Sequence, residues 1–469
     1  MVSWTIGHTS RRFGVEMMKL LLAGCALGVL AHAAELPGPA GDWLGVLTFN
    51  GVNLRIALHI KSADAGLTGT MDSLDQGAKG IPLDHVAFAD RKLSLRIAAL
   101  QASYEGTLEA DGKSISGTFT QGGVSIPLNL KPTSGPVELK RPQEPKPPFP
   151  YTAEEVGYDN GDVHLAGTFT KPRGDRPCTA VLLITGSGQQ NRDEELFGHK
   201  PFVLLADYLT RRGIAVLRVD DRGIGGSTGN FQTSTTEDFA TDVTAGVKYL
   251  LSRSDVDHKH VGLIGHSEGA IIAPMVAAKM PQVAFIVMLA GTVLPGDQIV
   301  PEQTYQANTL AGATPEQAAQ ARDFEAKLLA IDVTEKDPEQ REKKMLALAD
   351  GHPAVQKTLR AQMSALQSPW YRFFLAYDPR PALTKVKCPV LALDGSKDTQ
   401  VDAAKNIPLI QAALAEGGNQ DVTARIVPGV NHLFQDANTG ALSEYATIEQ
   451  TIAPQVLETI AAWIEKRMR

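Results

Sequence analysis

Cysteine is nearly absent from this chain, with three in 469 residues. So few thiols cannot build a disulfide framework, and the fold must rest on apolar burial instead. Aromatic residues make up only 6%, and the formal charge is −7. The chain thus lacks both the basic footprint and the stacking surface that nucleic-acid binding requires. Long apolar runs are also missing. The longest, Leu20–Leu30, is too short to span a bilayer comfortably. There is no H-E-x-x-H and no His/Cys cluster with metal-ligand spacing, so no metal is expected. The glycine-rich segment Gly223–Gly229 lacks the G-K-[ST] ending of a phosphate loop, and no cofactor is expected. What remains is ordinary globular composition, 43% hydrophobic and 21% charged, over a length suited to two or three domains.

The N-terminus reads as an export signal over residues 1–33. Lys19 precedes the apolar run and Ala31-His-Ala33 gives an A-x-A cleavage pattern. Glu16 and two arginines fit badly before such a signal, so translation is expected to begin at Met17 or Met18. The mature chain would carry a charge of −9 and be periplasmic or secreted, without a transmembrane span. Two alternatives stay open: a twin-arginine signal at Ser10–Phe13, and lipid anchoring at Cys25 through Leu22-Ala-Gly-Cys25.

Residues 40–131 form a separate all-β region. Its hydrophobic period is near two, as in Leu54–Ile60 and Leu93–Ile97. Leu54–Ala57 recurs as Leu95–Ala98. Gly69–Met71, Gln76-Gly77 and Ile81–Leu83 recur as Gly117–Phe119, Gln121-Gly122 and Ile126–Leu128. The pattern predicts about eight antiparallel strands in two similar halves, a small barrel or sandwich serving packing or ligand binding. Lys131 to Pro150 holds seven prolines, and residues 132–150 read as a stiff, extended linker. Beyond it, residues 151–469 alternate eight predicted strands with helices, the pattern of a mostly parallel sheet covered on both faces.

The chemistry is concentrated at Gly265-His266-Ser267-Glu268-Gly269, between the apolar run Val261–Ile264 and the apolar helix start Ala270–Ala273. A G-x-S-x-G set between strand and helix lifts the serine hydroxyl off the sheet edge, and the glycines permit close backbone approach. A serine needs a base, and the base an orienting carboxylate. Asp398 and His432 each lie just past a predicted strand, Pro389–Leu393 and Ala424–Val427, where open α/β sheets hold their ligands. Asp394 competes as the acid but sits at the strand end and reads as a turn residue; Asp402 reads as a helix cap. The backbone N–H groups of Glu268 and Ser187 are the expected oxyanion donors. Arg192, Asp193 and Glu194 either bind a polar substrate group or fix this loop through ionic contacts.

Three segments, Ile184–Asp193, Asp220–Ser227 and Cys388–Gly395, together with the serine elbow, resemble the α/β-hydrolases. The branch is that of bacterial serine esterases and serine aminopeptidase-like enzymes, here with an extra N-terminal β domain. Thr185 stands where this loop often has histidine. The resemblance implies strand order 1-2-4-3-5-6-7-8, which sets the strands after Cys178 and Cys388 three positions apart. At about 4.8 Å per strand that is too far for a disulfide, so both should be free, buried thiols. It also implies that the insertion at 296–385 is a helical cap, with Trp370 and Phe374 either lining the acyl pocket or packing the cap onto the core. The expected activity is a carboxylesterase with a Ser267–His432–Asp398 triad, acting on a small-molecule ester. Amide or aminopeptide cleavage by the same groups is the alternative, and a non-catalytic binding protein on this scaffold is the remaining one.

Overall fold

The structure, a computed structural model, describes residues 38–49, 52–64, 66–76, 78–135 and 140–468. The expected leader, with Cys25, lies outside the described residues. No helix among them is long and apolar enough to cross a membrane. They group into two compact units, one built mainly from residues 38–135 and one from residue 140 onward.

The first unit is a single antiparallel sheet. Its strands are β1 (Gly41–Phe49), β2 (Val52–Ala63), β3 (Gly66–Ser73), β4 (Ala78–Pro82), β5 (His85–Ala89), β6 (Lys92–Ile97), β7 (Ala102–Leu108), β8 (Ile115–Gln121), β9 (Val124–Pro127) and β10 (Leu130–Pro132). They run in the order β4-β3-β2-β1-β10-β8-β7-β6-β5, with β9 on β8. β3 also touches β5, so the sheet rolls around one core of Trp43, Leu58, Met71, Leu93, Tyr104 and Ile115. This is a rolled, barrel-like sheet with ten strands where eight were expected. The four-residue β9 and three-residue β10 are too short to leave a period.

The duplication is real in one part and accidental in another. Met71 pairs with Ile81 across β3 and β4, and Phe119 pairs with Ile126 across β8 and β9. The following Leu83 and Leu128 N–H groups donate back to Gly69 and Gly117. These two hairpins are equivalent. The repeated Leu-Arg-Ile-Ala is not: β2 pairs directly with β3, whereas β7 intervenes between β6 and β8.

The second unit holds β11 (Tyr151–Asn160), β12 (Val163–Pro172), β13 (Cys178–Ile184), β14 (Ala215–Val219), β15 (Val256–His266), β16 (Val283–Leu289), β17 (Val390–Gly395) and β18 (Val422–Val427). The order is β11-β12-β14-β13-β15-β16-β17-β18, with β12 antiparallel to both neighbours and the rest parallel. This is the α/β-hydrolase sheet. Side chains alternate between its faces. Ala180, Leu182 and Ile184 of β13 join one core with α2 (Thr236–Ser252), α3 (Glu268–Ala277) and α10 (Ala403–Glu416). Val181 and Leu183 join the other, with α1 (Pro201–Arg211) and α11 (Pro454–Glu465). A buried Leu or Val on such a strand contributes about 1.5–3 kcal/mol. Cys178 and Cys388 are free and half-buried, three strand positions apart, and burial pushes the Cys388 thiol up to about 11.

Six helices are inserted between β16 and β17: α4 (Gly296–Leu310), α5 (Pro315–Thr334), α6 (Pro338–Ala347), α7 (Pro353–Leu366), α8 (Pro369–Ala376) and α9 (Arg380–Leu383). Their starts are written locally. Thr314 caps α5 reciprocally with Gln317, Ser368 caps α8, and a proline opens each of α5 to α8. Leu328, Met345, Leu359 and Met363 give the insertion a small core of its own.

The later part of the proline-rich segment is not a free spacer. Arg141 donates to the carbonyls of Phe197, Ala446 and Ile448, and Gln143 bonds both backbone groups of Ile452. Lys200 pairs with Glu144 at 2.9 Å. Proline count reveals stiffness, but side-chain bonds to distant carbonyls leave no sequence period. A chain beginning at Lys140 is therefore expected to fold and to cleave small soluble substrates. One beginning at Tyr151 should melt lower, because hydrogen bonds to a charged group are worth about 1.5–3 kcal/mol. Equal melting midpoints for the two would remove Arg141 and Gln143 from the stability of this unit.

Candidate active site

Ser267 lies between β15 and α3 with φ +53° and ψ −113°, a conformation side chains rarely adopt. Tight packing enforces it. A Cβ on Gly265 would come within 2.0 Å of the Gly269 carbonyl oxygen, and one on Gly269 within 2.2 Å of that of Ile184. Only glycine lets α3 approach β15 and β13 this closely. The Ser267 N–H donates to the Leu289 carbonyl at 2.8 Å, fastening the turn to β16. Ser267 itself is half-buried and begins a helix, where orphan N–H groups and the helix dipole favour developing negative charge.

The structure brings Asp398 and His432 together. His432 Nδ1 is 2.7 Å from Asp398 Oδ2, and their side chains are 6% and 0% exposed. Asp398 Oδ1 accepts the Gln400 and Val401 N–H groups at 2.8 and 2.9 Å. Its carboxylate is thereby oriented by its own turn, and Nδ1–H donation to it leaves the lone pair of His432 on Nε2. Among the described residues, neither rival acid is bonded to His432. Asp402 caps α10 through the Ala404 N–H. Asp394 is fully buried at the end of β17. Burial raises its pKa well above the usual carboxylate range, against a hydrogen bond from the Gly291 backbone.

The loop after β13 lies against Ser267. A Cβ on Gly186 would sit 3.2 Å from Ser267 Cβ. The Gly186 N–H is taken by Glu194 Oε1 at 2.7 Å, which leaves Ser187 as the next donor along the loop. Glu268 is the first residue of α3, so its N–H has no intrahelical acceptor. The Asp220–Ser227 loop buttresses this region from behind. Asp221 accepts from Thr185 Oγ1 at 2.7 Å and the Gln190 N–H at 2.9 Å.

Residues 200–436 match the family model described as serine aminopeptidase, S33. The chain belongs to that family of α/β-hydrolases. It is similar to the esterase EstD of Thermotoga maritima, 22% identical over 374 residues, covering 78% of this chain and 82% of the relative. Among solved structures it resembles the Pyrococcus furiosus esterase Pf2001 at TM-score 0.41, with 15% identity, over 68% of this chain and 94% of that one. It also resembles Est1E of Butyrivibrio proteoclasticus, solved with ferulic acid, at TM-score 0.40, with 16% identity, over 66% of this chain and 98% of the other.

In this S33-type chain the cap reaches the elbow through Trp370. Its indole N–H faces both carboxylate oxygens of Glu268, at 2.9 and 3.0 Å. Thr236 Oγ1 donates to the same carboxylate at 2.7 Å. Glu268 is buried, and desolvation raises its pKa despite these donors. Phe374 stacks on Trp370 at 5.9 Å and packs against Gly296. Of the three charged residues at 192–194, two make ionic contacts with residues on or just after β11 and β14. Arg192 pairs with Asp220 and Glu155, and Asp193 with Arg218. Glu194 instead turns inward to His266, 2.9 Å away. The sequence offered only a conspicuous charged triplet here, not which member faces the site.

Proposed function

We propose that this protein is a serine carboxylesterase in which Ser267, His432 and Asp398 form the triad. The observation that supports this reading is the strained Ser267 elbow, whose neighbour His266 lies 3.0 Å from the His432 carbonyl, beside a buried His432–Asp398 pair at 2.7 Å. In this mechanism His432 Nε2 takes the Ser267 proton as Oγ attacks the ester carbonyl. Asp398 holds the tautomer and stabilises the imidazolium. The Glu268 and Ser187 N–H groups receive the oxyanion, His432 protonates the leaving alcohol, and water repeats the sequence to release the acid. Similarity to the Thermotoga maritima esterase supports a small-molecule ester as substrate. The family's description as serine aminopeptidases favours a second reading, amide cleavage by the same groups. A panel of short-chain esters, aminoacyl amides and acetylated sugars separates the two. The ester reading predicts turnover of esters far above amides, and the reverse ranking would overturn it.

We propose further that the cap selects the acyl group. Trp370→Ala and Phe374→Ala are expected to shift chain-length preference by an amount consistent with about 1–3 kcal/mol per methylene. An equal loss on every ester would instead assign Trp370 to holding Glu268 and not to selection. Export with removal of residues 1–33 also belongs to this proposal, and the N-terminal mass of protein recovered from its native host tests it.

A further inference from the structure

Glu194 and His266 are buried ionisable groups that the proposed reaction leaves idle. Their side chains are 4% and 9% exposed. His266 Nδ1 lies 2.9 Å from Glu194 Oε1, and its Nε2 lies 3.0 Å from the backbone carbonyl of His432. Glu194 Oε1 also accepts the Gly186 N–H at 2.7 Å. One chain of three hydrogen bonds thus runs from the oxyanion loop, through the residue before the nucleophile, to the backbone of the base.

The proton count constrains this chain. A carbonyl only accepts, so His266 Nε2 must carry a hydrogen. Glu194 Oε1 already accepts from Gly186, and as a carboxylate oxygen it accepts from Nδ1 as well. Satisfying all three contacts with an ionised Glu194 therefore requires both ring nitrogens to be protonated. Building on the Ser267–His432–Asp398 reading, we propose that Glu194 and His266 are a buried imidazolium–carboxylate pair that positions the oxyanion loop and the base relative to the nucleophile.

Electrostatics agree with the geometry. Burial opposes a charge on His266, but the Glu194 carboxylate, the His432 carbonyl and Asp398 favour it, and the net effect raises its pKa. The other titratable groups facing the pair are His432 and Asp398, after β18 and β17, and Asp221, after β14. Glu194 is held for this role at φ +50°, with its N–H on the Asn191 carbonyl. The pair touches no reacting atom, so both members are positioning residues.

Glu194→Gln is the discriminating variant because it keeps the shape. A glutamine has one acceptor oxygen and no charge. If that oxygen serves Gly186 and Nδ1–H, neutral His266 turns a lone pair toward the His432 carbonyl. If the amide rotates, Gly186 loses its acceptor. Either way one end of the chain is released.

The experiment uses the full chain and a short soluble ester, with kcat and KM followed from acidic to alkaline pH. Glu194→Gln is expected to lower kcat by about 10- to 100-fold, the effect of a small misplacement of reacting groups. KM should stay within about threefold, as expected when only the transition state is affected. Because the pair is charged below the raised His266 pKa, the wild type should lose kcat as pH rises through it. Glu194→Gln should lack that alkaline limb. His266→Gln, uncharged but able to donate to the His432 carbonyl, should show the same split. Nitrogen-15 histidine NMR of the wild type needs no variant, and it should find both His266 nitrogens protonated at neutral pH. A neutral His266, an unchanged kcat, a loss carried by KM, or an alkaline limb retained in Glu194→Gln would each overturn the proposal. Failure of a fluorophosphonate to label Ser267 in the wild type would overturn the serine reading instead, and the NMR result would still judge the pair.

Discussion

Ser267→Ala is expected to abolish ester hydrolysis and leave the fold intact. The loss should approach about 10⁶-fold in kcat, the scale seen when a triad nucleophile is removed. The fold should survive because the hydroxyl makes no hydrogen bond among the described residues. Ser267 begins α3 without a side-chain cap, and the turn is fastened by its backbone N–H to Leu289. Alanine and serine bear the same Cβ, so the strain at φ +53° is unchanged. Two measurements check this together: labelling by a fluorophosphonate, read by peptide mass, and the thermal midpoint. Labelling at another serine, or full activity in a folded Ser267→Ala protein, would end the assignment. A folded and inactive variant that no longer takes the label is the expected result.

The catalytic unit was legible because its signals are local and repeated. Buried parallel strands read as continuous apolar runs, and the runs Val261–Ile264 and Pro389–Leu393 overlap β15 and β17. The serine elbow was legible for a steric reason: only glycine fits at 265 and 269, so the spacing carries the geometry. Asp398 and His432 were found by their place after strands, and the structure brings them to 2.7 Å. What escaped is what no local pattern encodes. Arg141 bonds carbonyls some 56 to 307 residues away. Glu194 meets His266 across 72 residues. In the rolled sheet, Leu-Arg-Ile-Ala recurs by composition alone, whereas the Met71–Ile81 and Phe119–Ile126 hairpins repeat by register. Short β-segments with similar alternation look alike in sequence, and only pairing distinguishes them.

Trp370 shows why a correct position can leave a role open. The sequence marks an aromatic stretch in an insertion, and apolar bulk is equally suited to lining a pocket or sealing a seam. The indole N–H decides more than the ring does. It is one of the donors that keep the Glu268 carboxylate buried beside an expected oxyanion donor. A buried carboxylate that loses a donor becomes costlier to keep ionised, so the cap and the serine turn are energetically coupled through this contact.

The choice between two acids four residues apart carries the other large effect. Asp398→Asn is expected to cost about 10⁴-fold in kcat, because the amide cannot hold His432 in the tautomer that leaves Nε2 basic. Asp394→Asn should stay near wild type, and the reason is chemical. Burial pushes the Asp394 carboxyl well above its ordinary pKa, and the nearby negative charge of Asp398 adds to the shift. Burial thus favours the neutral acid, for which asparagine is a close isostere. The same shift gives a stability signature with a definite sign. A carboxyl whose folded pKa is raised contributes stability fully below its unfolded value near 4, and that contribution is lost as pH rises toward the folded value. Asp394→Asn removes the loss, so its stability relative to wild type should climb as pH rises above about 4 toward the folded value, by about 1.4 kcal/mol for each pH unit traversed. If Asp394→Asn is instead the inactive variant, or its relative stability is flat with pH, Asp394 is ionised in the native protein and the assignment of the acid must be exchanged.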